Sequence, residues 1–431
     1  MKKLEADIVI VGTGASGLFA ALHAPSDLNV LMITKSDVEN SDSYLAQGGI
    51  CVLRDSDDFD SFMEDTLKAG HYENRKESVE IMIQSSRDTI NELIEYGVDF
   101  ARKDGELDYT REGAHSKPRI LFHEDITGEE ITSHLLEQAR KRENIQILEY
   151  VTMIDLIENE NCCYGILAKD REENVFAIEA GFTIFACGGI GGLYEHSTNY
   201  PHLTGDAIAI AIQHGIELEN VDYVQIHPTT LYTKKKGRAF LISESVRGEG
   251  ALLYDKNGNR FTSEVQARDV VTEKIRQQMK KDNTSFVWMD MTVLGKDVIL
   301  SHFPHIYQKC LEEGYDCTKQ WIPVVPAQHY FMGGIHVDKD SHTSLSHLYA
   351  VGETSCNGVH GRNRLASNSL LESLVWGKRA MMDLLKADPA YTNDFDCLAN
   401  KTNSNQLSNI EKTYRNLVLQ EIEREREARE K

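Results

Sequence analysis

A chain of 431 residues with 41% hydrophobic and 26% charged side chains is ordinary globular material, long enough for two or three domains. Its formal charge of −22 argues against nucleic acid and anionic membrane as partners, since both favour a basic surface. No apolar run approaches the roughly 20 residues of a membrane span. The eight scattered cysteines form no CxxC pair, which speaks against a zinc site, an iron–sulfur cluster or a disulfide scaffold, and reads as cytoplasmic.

In chain order, ADIVIVG (6–12) is a continuous apolar run and predicts a strand buried on both faces of a parallel sheet. The strand begins so near the start that no room for a signal peptide is expected. ASGLFAALHA predicts a helix and NVLMITK (29–35) a second buried strand, completing a βαβ unit. Residues 76–96 place Val79, Met82, Ile83, Ile90, Leu93 and Ile94 at helical spacing. IQILEYVTMIDLI and YGILAKD predict short strands, and FTIFACGGIGG (182–192) a buried strand ending in a glycine turn. From about 228 to 325 the texture changes to short mixed elements, a second domain. HLYAVGETS (347–355) returns to a buried strand, and ASNSLLESLVWGKRAMMDLL predicts a helix closing the first domain. NKTNSNQLSN (400–409) reads as a polar linker before a last helix with Leu407, Ile410, Tyr414, Leu417 and Ile422 on one face. The final EREREAREK reads as a solvated charge run.

Between the first strand and helix, GTGASG sets Gly12, Gly14 and Gly17 in a GxGxxG turn. Such glycines let a pyrophosphate approach the free N–H groups of a helix N-terminus. An NAD site usually adds an acid about 20 residues on, at the end of the second strand. Thr34 and Lys35 stand there instead, which favours a flavin dinucleotide. In 348–374, Glu353 could supply the missing ribose contact, and the helix beginning SNSLLE could aim its N-terminus at an electron-rich ring. YTREGAHSKPR (109–119) holds one acid, Glu112, among Arg111, Lys117, Arg119 and His115; a salt bridge to Arg111 or Arg119 is its plainest reading.

With SYLAQGGI (43–50), TGDAIAIA (204–211), QIHPT (225–229), SESVRGEGA (243–251), PAQHYFMGGI (326–335) and GRNRLASNSL (361–370) in one order, the chain resembles the flavoproteins of succinate dehydrogenase and fumarate reductase. Within that family it resembles the L-aspartate oxidases. The resemblance runs to about residue 385. It implies an α/β fold: a Rossmann-like FAD-binding domain (1–227 and 326–395) interrupted by a smaller α+β capping domain (228–325), with a short helical remnant (400–431) where longer members carry a bundle.

The resemblance further implies FAD held by Gly12, Thr13, Gly14, Ala15, Ser16, Gly17, Lys35, the segment Asp42, Ser43, Tyr44, Leu45, Ala46, Gln47, Gly48, Gly49, then Asp206, Glu353, Ser369 and Leu370. Covalent members have a histidine five residues before the position of Gln47; Asp42 stands there, so noncovalent FAD is expected. His227, Ser243, His329 and Arg364 would hold a four-carbon dicarboxylate, with bidentate arginine the natural carboxylate clamp. Arg268 would transfer the proton, with Glu244 and Arg247 as its relay. Glu112 would pair with the ammonium that aspartate carries and fumarate lacks. The implied reaction oxidises L-aspartate to iminoaspartate and passes the electrons to oxygen or fumarate, the first step of de novo NAD synthesis, with functional coupling to quinolinate synthase. A soluble fumarate reductase is the alternative within the fold. An electron-transfer subunit lacks a cysteine cluster of its own, and an NAD-dependent dehydrogenase lacks the ribose acid.

Overall fold

The computed structural model describes residues 1–235, 237–404 and 409–430. β1 (Lys2–Val11) is followed by α1 (Ala15–Leu22) and β2 (Val30–Thr34), the βαβ unit expected from the apolar runs. β1 pairs in parallel with β2, Ile8 opposite Val30, and with Val175–Phe185, Ile8 opposite Phe182. The sheet order is Ile145–Glu149, β2, β1, Val175–Phe185, Cys162–Lys169, Thr152–Asn159, with Leu348–Ala350 also joining Val175–Phe185.

The alternation along β1 shows why its last four residues, Ile8–Val11, are uniformly apolar. Ile8 and Ile10 enter one core with α1, the Lys76–Glu95 helix and Trp376 of the Asn368–Leu384 helix. Val9 and Val11 enter a second core, with Ile208 and Ile210 of the Asp206–Gln213 helix and with Tyr414, Val418 and Ile422. A strand covered on both faces has no position where a polar side chain meets water.

A third core gathers residues between Leu231 and Val324. Its antiparallel sheet runs Val224–Leu231, Ile322–Phe331, Val287–Asp290, Leu252–Tyr254, and the Arg268–Asp282 helix contributes Val271 and Ile275. The boundaries expected at 228 and 325 fall inside the two paired strands that lead from the main body into this core. Those strands also carry His227 and His329 to the cleft below.

The C-terminal segment differs from the sequence reading in two places. Phe395–Ser404 is a helix that takes in the first half of the stretch read as linker, with Phe395 and Ala399 packed among Ile154, Ile157 and Leu167. Leu407 lies outside the described residues. The closing charge run continues the Ile410–Glu430 helix and is not merely solvated. Arg429 Nε lies 2.9 Å from both Asp222 oxygens, its Nη2 donates to Asn220 Oδ1 at 2.6 Å, and its guanidinium sits 4.3 Å over the Tyr223 ring. A charge run looks solvated when read alone; its partners here lie about two hundred residues upstream.

Candidate active site

The chain leaves β1 through Gly12, at φ +121°, where a Cβ would lie 2.0 Å from the Ala186 carbonyl oxygen. A Cβ on Gly17 would lie 2.3 Å from the Gly12 carbonyl oxygen, so strand, turn and α1 touch backbone to backbone. Gly14 caps α1 without a side-chain acceptor for the first N–H groups, and Ala15 N–H donates to Ser43 Oγ at 3.1 Å. That bond ties the 42–49 segment to the glycine turn. Lys35, just past β2, forms a 2.6 Å ion pair with Asp206 at the start of the Asp206–Gln213 helix. Burial pushes the Asp42 carboxyl up to about 7; one oxygen accepts the Tyr200 N–H and the other has no partner. Glu353 accepts the Phe331 N–H at 2.8 Å, and burial, then the neighbouring Asp42, hold its carboxyl well above the usual range.

The opposite side of the cleft is built from distant segments. Arg268, first residue of the Arg268–Asp282 helix, donates from Nε to Glu244 at 2.5 Å and from Nη1 to Gln225 at 2.8 Å. Burial alone would raise the Glu244 carboxyl, but Arg268 and Arg247 outweigh it and hold the group below its ordinary value. Arg247 lies 3.6 Å from Glu244, one turn along the same short helix. The His227 and His329 rings are 5.1 Å apart. Burial, and then the charge of Arg268, hold both imidazoles well below the normal histidine range, so both are neutral near pH 7. His227 Nδ1 meets the Thr229 backbone, leaving Nε2 buried with no partner, while His329 Nδ1 meets the Thr198 hydroxyl at 2.7 Å.

Arg364 is 4% exposed, lies 4.4 Å over the Tyr330 ring and donates from Nη1 to Ser369. Its Nε is buried without a partner, and among the described residues it forms no ion pair. Burial, with the repulsion of Arg268 behind it, lowers its guanidinium to about 10. A buried cation in that condition gains from any carboxylate that enters.

Glu112 is 3% exposed, and neither basic neighbour bonds to it. Arg119 is committed to Asp58 at 2.9 Å and Asp65 at 2.6 Å. The Glu112 oxygens instead accept hydroxyls from Ser245 and Ser367, each at 2.6 Å. Burial first, and repulsion by Glu244 second, raise its carboxyl above the ordinary value. The cleft therefore contains a carboxylate with no cation and an arginine with no carboxylate.

These residues line one continuous cleft, from Gly12, Thr13, Gly14, Ser16 and Lys35 through the 42–49 segment to Glu112, His227, Ser243, Glu244, Arg268, His329 and Arg364. The glycine cradle, the N-terminus of α1 and the unpartnered Asp42 Oδ2 and Gln47 Oε1 suit a dinucleotide, with the unpartnered His227 Nε2 and Arg364 Nε at the far end. Residues 7–370 match the family model described as an FAD binding domain. An L-aspartate oxidase of Clostridium perfringens is 46% identical over 97% of this chain and 95% of its own length. The chain belongs to the L-aspartate oxidase family. A Pseudomonas aeruginosa L-aspartate oxidase is 40% identical over 89% of this chain and 75% of its own. An E. coli quinol fumarate reductase structure superposes with TM-score 0.87 at 28% identity, covering 94% of this chain and 74% of that one. The fold is thus that of the succinate dehydrogenase and fumarate reductase flavoproteins, and the protein is an FAD-dependent oxidoreductase.

Asp206, Glu353, Ser369 and Leu370 also face the cleft of this L-aspartate oxidase family member. Ala15, Gly17, Tyr44 and Arg247 do not: Ala15 and Gly17 act through backbone packing, and Arg247 stands behind Glu244. Ser245 and Ser367, which hold Glu112, and Gln225, which takes Arg268, are further site residues beyond those expected from the sequence. Ser245, Gln225 and Ser367 sit inside the quoted motifs SESVRGEGA, QIHPT and GRNRLASNSL, the one signal that could have found them.

Proposed function

We propose that the cleft oxidises L-aspartate to iminoaspartate, with its substrate held between Arg364 and Glu112. The observation that carries this reading is Glu112: a buried carboxylate without a cation, in the same cleft as a buried arginine without an anion. A dicarboxylate carrying an ammonium supplies both missing partners. Arg364 takes a carboxylate, and the neutral imidazoles of His227 and His329, beside Ser243, donate hydrogen bonds without adding charge. Gly12–Gly17, Lys35, the 42–49 segment, Asp206, Glu353, Ser369 and Leu370 would hold FAD, which would supply the hydride acceptor.

Oxidation of the amine also releases a proton. Arg268 would relay it: held by Gln225 and donating its Nε–H to Glu244, the guanidinium passes its own proton to Glu244 as it takes the one released by the substrate. Arg247 keeps Glu244 ionised from the other side. The 228–325 segment, which delivers Ser243, Glu244 and Arg268, acts as a cap over the substrate. The FAD is noncovalent, since Asp42 cannot form the histidyl bond. Oxygen, giving hydrogen peroxide, or fumarate, giving succinate, takes the electrons onward. The iminoaspartate feeds quinolinate and hence NAD synthesis in the cytoplasm, with quinolinate synthase as the functional partner.

The same arginine and histidines would suit fumarate, and the E. coli quinol fumarate reductase shares the fold. Glu112 separates the two readings, because a fumarate site gains nothing from a buried negative charge. The test is a panel of L-aspartate, succinate and fumarate, following flavin bleaching without oxygen and peroxide release with it. Bleaching by aspartate and not by succinate supports the oxidase. Bleaching by succinate alone rejects it.

A further inference from the structure

Ser245 is an unremarked serine on the five-residue Glu244–Gly248 helix, outside the cleft wall, yet its hydroxyl is spent on Glu112. The helix packs tightly on the segment that carries Glu112. A Cβ on Gly113 would lie 2.4 Å from Glu244 Oε1, and one on Gly248 would lie 2.6 Å from the Arg111 carbonyl oxygen. Ser243 Oγ donates to Ser245 Oγ at 3.2 Å, and Ser245 Oγ donates to Glu112 Oε1 at 2.6 Å. A file of hydroxyls thus joins the proposed carboxylate end of the substrate site to the proposed ammonium end.

We infer that Ser245 is a positioning residue which holds Glu112 in its ionised, ammonium-accepting form and so sets the preference for an amino-bearing dicarboxylate over one without an amine. The inference rests on Glu112 as the ammonium partner. Adjacent residues on one turn act in opposite senses: the Glu244 carboxylate disfavours a second negative charge, while the Ser245 hydroxyl stabilises it. The other charges facing Glu112 are Arg268 and Arg247, both already engaged by Glu244, and the neighbouring Cys51 thiol is neutral, its ionisation suppressed by burial. Ser367 supplies the second hydroxyl, but it also accepts the Gly49 N–H, so Ser245 is the cleaner handle.

A hydrogen bond to a charged group matters at the level of about tenfold or more in an equilibrium constant, or about one pH unit. Removing a donor to the carboxylate raises its pKa, so Glu112 stays protonated, and unable to pair with ammonium, to higher pH. The aspartate deficit is then greatest at acid pH and shrinks as pH rises.

The experiment measures kcat/KM against pH for L-aspartate oxidation and for fumarate reduction in four FAD-loaded proteins: the parent, Ser245→Ala, Glu112→Gln, and the double variant. Ser245→Ala should lower the aspartate-to-fumarate ratio by up to about tenfold on the acid limb of the aspartate profile and move that limb up by about one pH unit. In the Glu112→Gln background it should change the ratio less than about twofold, because a residue acting through Glu112 has nothing left to act on. Equal loss in both backgrounds, an unmoved acid limb, or a parallel loss of both reactions overturns the positioning role. If Glu112→Gln shifts the ratio and Ser245→Ala does not, only the inference about Ser245 fails. If Glu112→Gln itself leaves the ratio unchanged, the amine-recognition reading falls, and this inference with it.

Discussion

In the dinucleotide half of the cleft, the turn Gly12–Gly17 and the run 42–49 come from two short stretches, each contiguous in the chain. In the substrate half, Glu112, His227, Glu244, Arg268, His329 and Arg364 arrive from separate segments, from residue 112 to residue 364. The first half is specified by backbone proximity: glycines stand where a Cβ has no space. The second is specified by charge: Glu244 is buried between Arg268 and Arg247, while Glu112 and Arg364 are buried with no ion pair among the described residues. Damage to the first should therefore act through binding and folding, and damage to the second through chemistry and selectivity.

The largest effect should come from Gly12→Ala. Its Cβ would meet the Ala186 carbonyl oxygen at 2.0 Å, and φ +121° is closed to alanine, so neither the turn nor the strand can accommodate it. Purified variant protein should hold less than about a tenth of the parent's flavin, with a lowered melting temperature, because a βα turn of this kind seats the pyrophosphate. Gly14→Ala should lose less, since its nearest obstacle is the Ser43 hydroxyl at 3.2 Å, a side chain that can turn. Equal loss in both would break the backbone account. Acid or heat should release the parent's flavin into the supernatant; flavin that stays with the precipitate would mean a covalent link.

Next in size is Arg268→Lys. Lysine keeps the charge but cannot hold Glu244 and Gln225 together through one planar fork. Turnover should fall by about 10²- to 10⁴-fold, the usual contribution of a positioned acid–base group, while the dissociation constant for a non-oxidised dicarboxylate changes far less. Stopped-flow flavin reduction separates the two. Normal reduction rates would remove Arg268 from the proton step.

Glu112→Gln sharpens the contrast further, because it deletes a charge while nearly preserving shape. The aspartate-to-fumarate ratio of kcat/KM should fall on the order of ten- to a hundredfold, as expected for a charged hydrogen bond in a partly dry site. A parallel loss in both reactions would make Glu112 a structural carboxylate.

The same contrast explains what could be read in advance. The βαβ start was legible because an apolar run, three glycines and a second apolar run lie within some thirty residues and depend on little else. His227 and His329 were legible only through the family resemblance; a histidine in QIHPT carries no mark of the ring it will face 5.1 Å away. Glu112 shows the limit most sharply. Its nearest basic neighbours in sequence suggested an ion pair, but Asp58 and Asp65 had already claimed Arg119. Ser245 was invisible for the same reason, since a serine's role depends on the side chain it meets.

The smallest effect tests whether contacts assembled over long range matter away from the cleft. Arg429 docks the last helix onto Asp222, Asn220 and Tyr223, beside the strand that carries His227. Its side chain is 39% exposed, so water and salt screen the ion pair and only a small part of its Coulombic energy survives. The bidentate geometry and the stacking on Tyr223 add to that remainder. Arg429→Ala should cost about 1 kcal/mol, which in a chain of this size is a melting-point decrease of only about 1–2 °C. Because part of the effect is electrostatic, the gap between parent and variant should narrow as salt is raised toward about 1 M, where the Debye length is about 3 Å. The aspartate-to-fumarate ratio should not move, because no substrate contact is touched. A melting point unchanged at low salt would return the charge run to the solvated reading that its sequence first suggests.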